Sequence, residues 1–216
     1  MHKGLLPLFP LEVVLLPGTA LPLHIFEERY KEMIGEVLAQ SSEFGVVLAQ
    51  RNGILRVGCT ATIEEVVRRY DDGRMDILTV GRRRFQILGV DSEKSYLRGE
   101  VDFFEDEDTR RAPIELRRQA IVDHQRLVRL KQEEPDGNDE PSVEDPDLSF
   151  QLAQVSPDLN FRQMMLTLRS EVERLEHVAR HLRELLERYS LQTEMRKVAQ
   201  TNGHGRHGKM DLSGLT

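Results

Sequence analysis

Two rhythms divide the chain. Up to Phe104 the apolar residues fall in short runs and alternations, and beyond it they recur every three or four positions. In the first stretch, Leu5 to Phe9 and Val13 to Leu16 are apolar runs, punctuated by Pro10, Pro17-Gly18 and Pro22. Each proline removes a ladder donor, so it marks a strand end, an edge or a turn. A helical period then intervenes. Tyr30, Met33, Ile34, Val37 and Leu38 share one face, and Glu27, Glu28 and Glu32 sit in the opening turns, where the dipole favours acids. This predicts an amphipathic helix of about a dozen residues. Strands resume over Phe44 to Ala49 and Cys59 to Val67. Asp71-Asp72-Gly73 is a hairpin signal, and Met75 to Val80, Phe85 to Val90 and Tyr96 to Phe104 follow. Gly53, Gly58, Gly81 and Gly89 fall near these boundaries. About six or seven strands around one helix predict a compact, partly closed barrel.

The second rhythm begins with Ile114, Leu116, Ala120, Ile121, His124, Leu127, Val128 and Leu130, a helical period of about 18 residues. Residues 132–147, rich in Glu, Asp, Pro, Gly and Asn, read as a loop. Leu148 to Val155 predicts a short helix, and Ser156-Pro157-Asp158 sets a capping hydroxyl before a helix-starting proline. Val172, Leu175, Ala179, Leu182, Leu186 and Tyr189 step by 3, 4, 3, 4 and 3. That seam is too short for a coiled coil and is expected to pack on its own domain. The predicted fold class is α+β: a β-rich lobe over residues 1–105, a helical lobe over 106–190 holding the acidic loop 132–147, and a glycine-rich tail over 191–216, read as disordered.

Composition narrows the function. The 216 residues carry a formal net charge of −7, and the acidity is concentrated: residues 101–147 hold 7 basic and 15 acidic groups. A globally acidic chain repels phosphates, so nucleic acid is not an expected partner, and the acidic runs read as solvated linkers. Prolines and acids interrupt the apolar stretches well before the roughly 18 residues of a membrane helix. One cysteine, Cys59, excludes an internal disulfide and a Cys-rich zinc site. With no secretory signal evident at the start, a cytoplasmic location is expected.

Candidate chemistry is sparse. Gly203 to Lys209 spells Gly-x-x-x-x-Gly-Lys, but Met210 follows where a phosphate loop needs a hydroxyl, and no apolar strand precedes it. His177 and His181 lie four apart on the last helix, without a third ligand in view and among charged neighbours, so they read as a solvated face. The two histidines of the tail, His204 and His207, offer at most loose, incidental metal binding. Arg82-Arg83-Arg84 is the one basic tripeptide; strand alternation would turn its outer two residues to one face. Cys59 reads as a small core residue. No catalytic group, cofactor or metal site is expected.

The opening carries a resemblance. Leu6-Pro7-Leu8-Phe9-Pro10-Leu11, Val14-Leu15-Leu16-Pro17-Gly18 and Leu21 to Tyr30 (Leu-Pro-Leu-His-Ile-Phe-Glu-Glu-Arg-Tyr) resemble the signature of the Lon protease N-terminal domain. Phe44-Gly45-Val46-Val47, Val57 to Ile63, Asp72-Gly73-Arg74 and Gly81-Arg82-Arg83-Arg84-Phe85 continue the likeness in order, and the helical half matches more weakly through Arg162 to Leu166 and Glu173-Arg174-Leu175. The resemblance implies a pseudo-barrel followed by a helical bundle, in a free-standing member without the ATPase or protease modules. It implies a non-catalytic module that recognises unfolded or exposed hydrophobic polypeptide segments, in the setting of a protease or chaperone system. The signature residues Phe9, Ile25, Phe26 and Tyr30 read as core, and Glu27 with Arg29 as a turn anchor. The plastic apolar residues between the lobes, Phe103, Phe104, Met164 and Met165, are the expected peptide surface. Two alternatives stand beside this reading: an assembly subunit that recruits one defined partner through its C-terminal helix, and an RNA binder by fold analogy, which the charge balance opposes.

Overall fold

The computed structural model describes residues 5–131 and 140–202, and for 196–202 the backbone alone. Six strands come first, with one helix among them: β1 (Leu6–Leu11), β2 (Ala20–Ile25), α1 (Glu28–Gln40), β3 (Phe44–Gln50), β4 (Gly53–Arg69), β5 (Met75–Asp91) and β6 (Arg98–Phe103). Four helices follow: α2 (Ile114–Lys131), α3 (Leu148–Ala153), α4 (Leu159–Thr167) and α5 (Glu171–Asn202). The expected α+β architecture is what the chain forms.

The sheet runs β2-β5-β4-β3-β1-β6, and β6 returns to pair with β5. Five strands therefore close a ring, and β2 stands outside it as an added edge. All pairings are antiparallel except β1 with β3, whose register matches Leu8 to Gly45. Closure depends on the length of β5. Its first part, Met75 to Val80, pairs with β2, and its second, Phe85 to Asp91, with β6. Met75 to Val80 and Phe85 to Val90 are thus one strand, not two. Between the two parts Ala61 faces Gly81 while Cys59 faces Arg84, so β5 holds an extra residue there. The resulting bulge leaves both Arg82 and Arg83 exposed and turns Arg84 inward, which breaks the expected alternation. Gly81 is small for a reason. The loop between β1 and β2 crosses it, and a Cβ there would lie 2.2 Å from the Leu16 carbonyl oxygen.

Phe85 fills the ring from inside, with Leu8, Val47 and Ile87 around it. A Cβ on Gly45 or Gly58 would come within 2.6 or 2.7 Å of its Cζ, so one large side chain dictates two glycines on neighbouring strands. The larger core lies outside the ring and is continuous from Phe9, Ile25 and Tyr30 through Phe44 and Ile77 to the helices. The seam residues Leu175, Ala179, Leu182 and Leu186 are buried in it, together with Val178 and Leu185. Helix α5 itself runs on to Asn202, past the Ser190 at which its apolar period fades.

Local chemistry adjusts other expectations. The hairpin at Asp71-Asp72-Gly73 closes with the Tyr70 N–H donating to the Arg74 carbonyl and the Gly73 N–H to the Tyr70 carbonyl. Among these residues only Gly73 has a positive φ, +83°. Helix α4 is capped by Asp158, whose carboxylate accepts from the N–H groups of Asn160 and Phe161, and not by Ser156. Within the acidic segment, the described part from Glu140 onward is pinned. Arg117, 1% exposed, donates to the Val143 carbonyl at 2.6 Å and also to that of Asp145. Residues 132–139 and the glycine-rich tail from Gly203 lie outside the described residues.

Candidate functional site

The four junction residues divide by exposure. Phe103 is 39% exposed and carries the Arg83 guanidinium 4.0 Å above its ring. Phe104 is half-buried between Arg84 and Arg169, 4.9 and 4.7 Å from its centroid. Met164 is half-buried against the main core, and Met165 is 0% exposed within it. Met165 follows the inward period of α4 with Phe161, so it has no surface to offer. Arg84 reaches α4 and, through Asp106, α5 at a packed, ion-paired junction, with Phe104 beside it under Arg169 of the α4–α5 link, whereas Phe103 stays on the outside with Arg83. Arg84 donates to the carbonyls of Leu168 at 2.6 Å and Leu166 at 3.4 Å. It shares Asp106 with Arg174, which also bonds Glu171. Burial pushes the Asp106 carboxyl up, but the bonds and charges of Arg174 and Arg84 outweigh this and hold it below the usual range.

His181 lies on α5, stacked on Phe161 at 3.9 Å and hydrogen-bonded to Ser156 Oγ at 2.8 Å. Among the described residues no group of three His, Cys, Asp or Glu is placed to hold a metal. Cys59 is buried, and burial pushes its thiol up to about 12, far from a nucleophile's range.

The signature segment builds a different surface. Phe9, Ile25 and Tyr30 are buried as expected, and the Phe9 and Tyr30 rings pack tilted, with centroids 4.1 Å apart. Phe26 departs from them: it is 59% exposed. It follows the last residue of β2 and precedes α1, where the chain leaves the sheet and its side chain turns outward. It lines a pocket of about 160 Å³ together with the apolar Phe9, Pro10, Leu11, Leu23, Ile25 and Tyr30 and the polar His24, Glu27 and Arg29.

Paired groups hold the polar side of the pocket. His24 and Asp76 face each other in the β2–β5 register, and Asp76 Oδ1 lies 2.5 Å from His24 Nδ1. The Tyr70 hydroxyl donates to Asp76 Oδ2 at 2.7 Å. These two bonds hold the Asp76 carboxyl below its usual range. The His24 ring stacks on Phe26 at 5.9 Å and meets Tyr70 edge-on at 6.0 Å. Arg68 and Arg74 flank Tyr70 at 4.6 and 4.9 Å. Arg29 pairs with Glu27 at 2.7 Å and Arg74 with Asp72 at 2.7 Å. Helix α1 is fixed beneath by Lys31, which donates to Glu28 and to the Asp72 carbonyl, and by Lys94 on Glu36. The result is a shallow pocket of mixed apolar and polar lining beside an exposed aromatic cluster, with its charged groups paired. The sequence pattern reads Phe26 as core; its place next to a helix start is the one signal that sets it apart.

Comparison with known proteins places this geometry. Residues 5–184 match the ATP-dependent protease La (LON) substrate-binding domain. A Lon protease of Parabacteroides distasonis is 31% identical over 109 residues, which cover 47% of this chain and 13% of that protein. A Lon protease of Neorickettsia sennetsu is 27% identical over 145 residues, 61% of this chain and 18% of that protein. The chain thus spans under a fifth of either relative. The crystal structure of a Lon N-terminal domain protein from Xanthomonas campestris superposes with a TM-score of 0.65 at 27% identity, covering 81% of this chain and 96% of that one. The N-terminal domain of a Mycobacterium avium complex Lon protease gives 0.58 at 17% identity over 85% and 98%, a likeness of fold. The chain therefore belongs to the Lon substrate-binding domain family.

Proposed function

We propose that this domain binds unfolded polypeptide, or hydrophobic segments exposed on other proteins, and that its part is recognition and not catalysis. The observation that carries the reading is Phe26, a large exposed aromatic that lines a partly apolar pocket, within the segment that bears the family signature. An apolar client side chain seated there gains roughly 1.5–3 kcal/mol from burial, and the micromolar affinity expected of the domain, about 8 kcal/mol net of the cost of ordering the client, takes several such contacts along the client. Because the charges of the pocket are already paired, binding should depend little on salt. No described helix is long and apolar enough to cross a membrane, which fits a setting in the cytoplasm beside a protease or chaperone system.

The test is fluorescence anisotropy with a labelled unfolded protein fragment. Phe26→Ala should weaken binding about fivefold or more, by the loss of roughly 1 kcal/mol of aromatic contact. Phe103→Ala probes the junction surface in the same assay. Met165→Ala is unsuitable, since it opens a cavity in the core. Binding unmoved by Phe26→Ala but lost in Phe103→Ala would move the site to the junction, and no binding at high micromolar concentration would end the reading.

A further inference from the structure

The strand order suggests how a client is held. Resting on the reading above that extended polypeptide is the ligand, we propose that the client adds as a β-strand to the outer edge of β2, with one apolar side chain in the Phe26 pocket.

The argument begins with the ring. Strand β6 meets β1 only at Leu6 and Pro7, and β2 pairs with β5 alone. Phe9 to Leu11 of β1 and Leu23 to Ile25 of β2 therefore flank an opening at the far end of the ring, and the pocket lies between them. Next comes the phase of β2. The Gly81 N–H donates to the Thr19 carbonyl just before β2 begins. Antiparallel ladders alternate bonded and non-bonded pairs, so Leu21, Leu23 and Ile25 turn their backbone groups to β5, while Ala20, Pro22 and His24 turn theirs outward. Pro22, which has no N–H, falls on the side where none is needed. No group among the described residues bonds the outward N–H and C=O of His24 or the outward C=O of Pro22.

Such groups are complemented by another extended backbone. Backbone pairing is indifferent to client sequence, which suits unfolded polypeptide. In a strand paired to β2, every second side chain turns the way of Leu23 and Ile25, towards the pocket, and the others follow His24 to solvent. Pro22 limits the paired stretch to the half of β2 nearest the pocket.

The experiment is a backbone N-methyl scan of a labelled decapeptide, acetylated and amidated, of alternating valine and serine with one central phenylalanine. Methylation at the two alternate positions whose N–H groups face the Pro22 and His24 carbonyls should weaken binding at least tenfold, and at the positions between and beside them by less than twofold. On the protein, His24→Pro removes the outward N–H and should bind more weakly than His24→Ala, which removes only the ring. If His24→Pro does not fold, the scan on the wild-type protein decides alone. Binding without the alternation, or equal binding by the two variants, overturns strand addition and leaves polypeptide recognition standing. No binding of the unmethylated peptide overturns both.

Discussion

Arg174 is the side chain whose loss should reveal what holds the barrel to the helices. It is 0% exposed, yet it is a cation. Its guanidinium donates to both Asp106 oxygens at 2.6 and 2.7 Å, to Glu171 at 3.0 Å, to the Leu168 carbonyl at 2.9 Å and to Ser149 Oγ at 3.0 Å. It lies 4.3 Å over the Phe150 ring. Arg174→Met keeps the apolar stem on that ring and deletes the charge. Asp106 then retains Arg84 at 2.5 Å, but Glu171 keeps only Ser149, which donates through its N–H at 3.0 Å and its hydroxyl at 2.5 Å. Removing one partner of a buried ionic pair costs about 3–5 kcal/mol, and the lower end applies here because one of the two carboxylates keeps a cation. A loss of about 3 kcal/mol is a large share of the roughly 5–15 kcal/mol that holds a domain folded.

The assay is guanidinium denaturation followed by circular dichroism, at pH 7 and again at pH 5. Burial already raises the Glu171 pKa, against the opposing pull of Ser149 and Arg174. Without Arg174 it rises further. A carboxyl whose folded pKa is raised contributes stability below its unfolded value and loses it as pH climbs through the folded one. The deficit of Arg174→Met should therefore shrink at pH 5, and adding Glu171→Gln should recover part of it at pH 7. A loss below about 1 kcal/mol, or a deficit equal at both pH values, would refute this account of the junction.

Two further outcomes follow from the packing. Gly45→Ala should cost about 1–3 kcal/mol by overpacking against Phe85, and the double variant with Phe85→Leu should lose less than the sum of the two single losses; strict additivity in a denaturation cycle would sink this. His181 has a lowered pKa, chiefly through burial, with Arg188 adding to the shift and Glu184 and Asp158 opposing it. Its neutral form is favoured on folding, so thermal stability should fall as pH drops below about 6.5, less so in His181→Asn, and a melting temperature flat from pH 7 to 5 would count against it.

How far the sequence could be read follows from which interactions are local. The period of Tyr30, Met33, Ile34 and Val37 marked α1 because a helix face is written in neighbouring residues. The strand pattern was equally visible in β3 and in the hairpin at Gly73. What escaped depended on distant partners. Val13 to Leu16 reads as a strand, yet only Leu8 and its neighbours in β1 pair with β3; Val14, Leu15 and Leu16 are buried as irregular chain that passes over Gly81. That same crossing explains why residue 81, inside β5, is a glycine, where the sequence suggested a strand boundary. Arg117, in an apparently polar period, is a buried clamp on Val143 and Asp145, a partnership no local pattern encodes. Phe26 and Met165 traded places for a related reason. Both are apolar and adaptable, and composition alone favours methionine as the client-facing residue. Burial is decided by the element that carries the side chain: Met165 rides the inner face of α4, whereas Phe26 stands at the hinge between β2 and α1, where the chain must leave the sheet. Exposure of a large apolar side chain in this fold is thus set less by which apolar residues are present than by where the chain turns away from its own core.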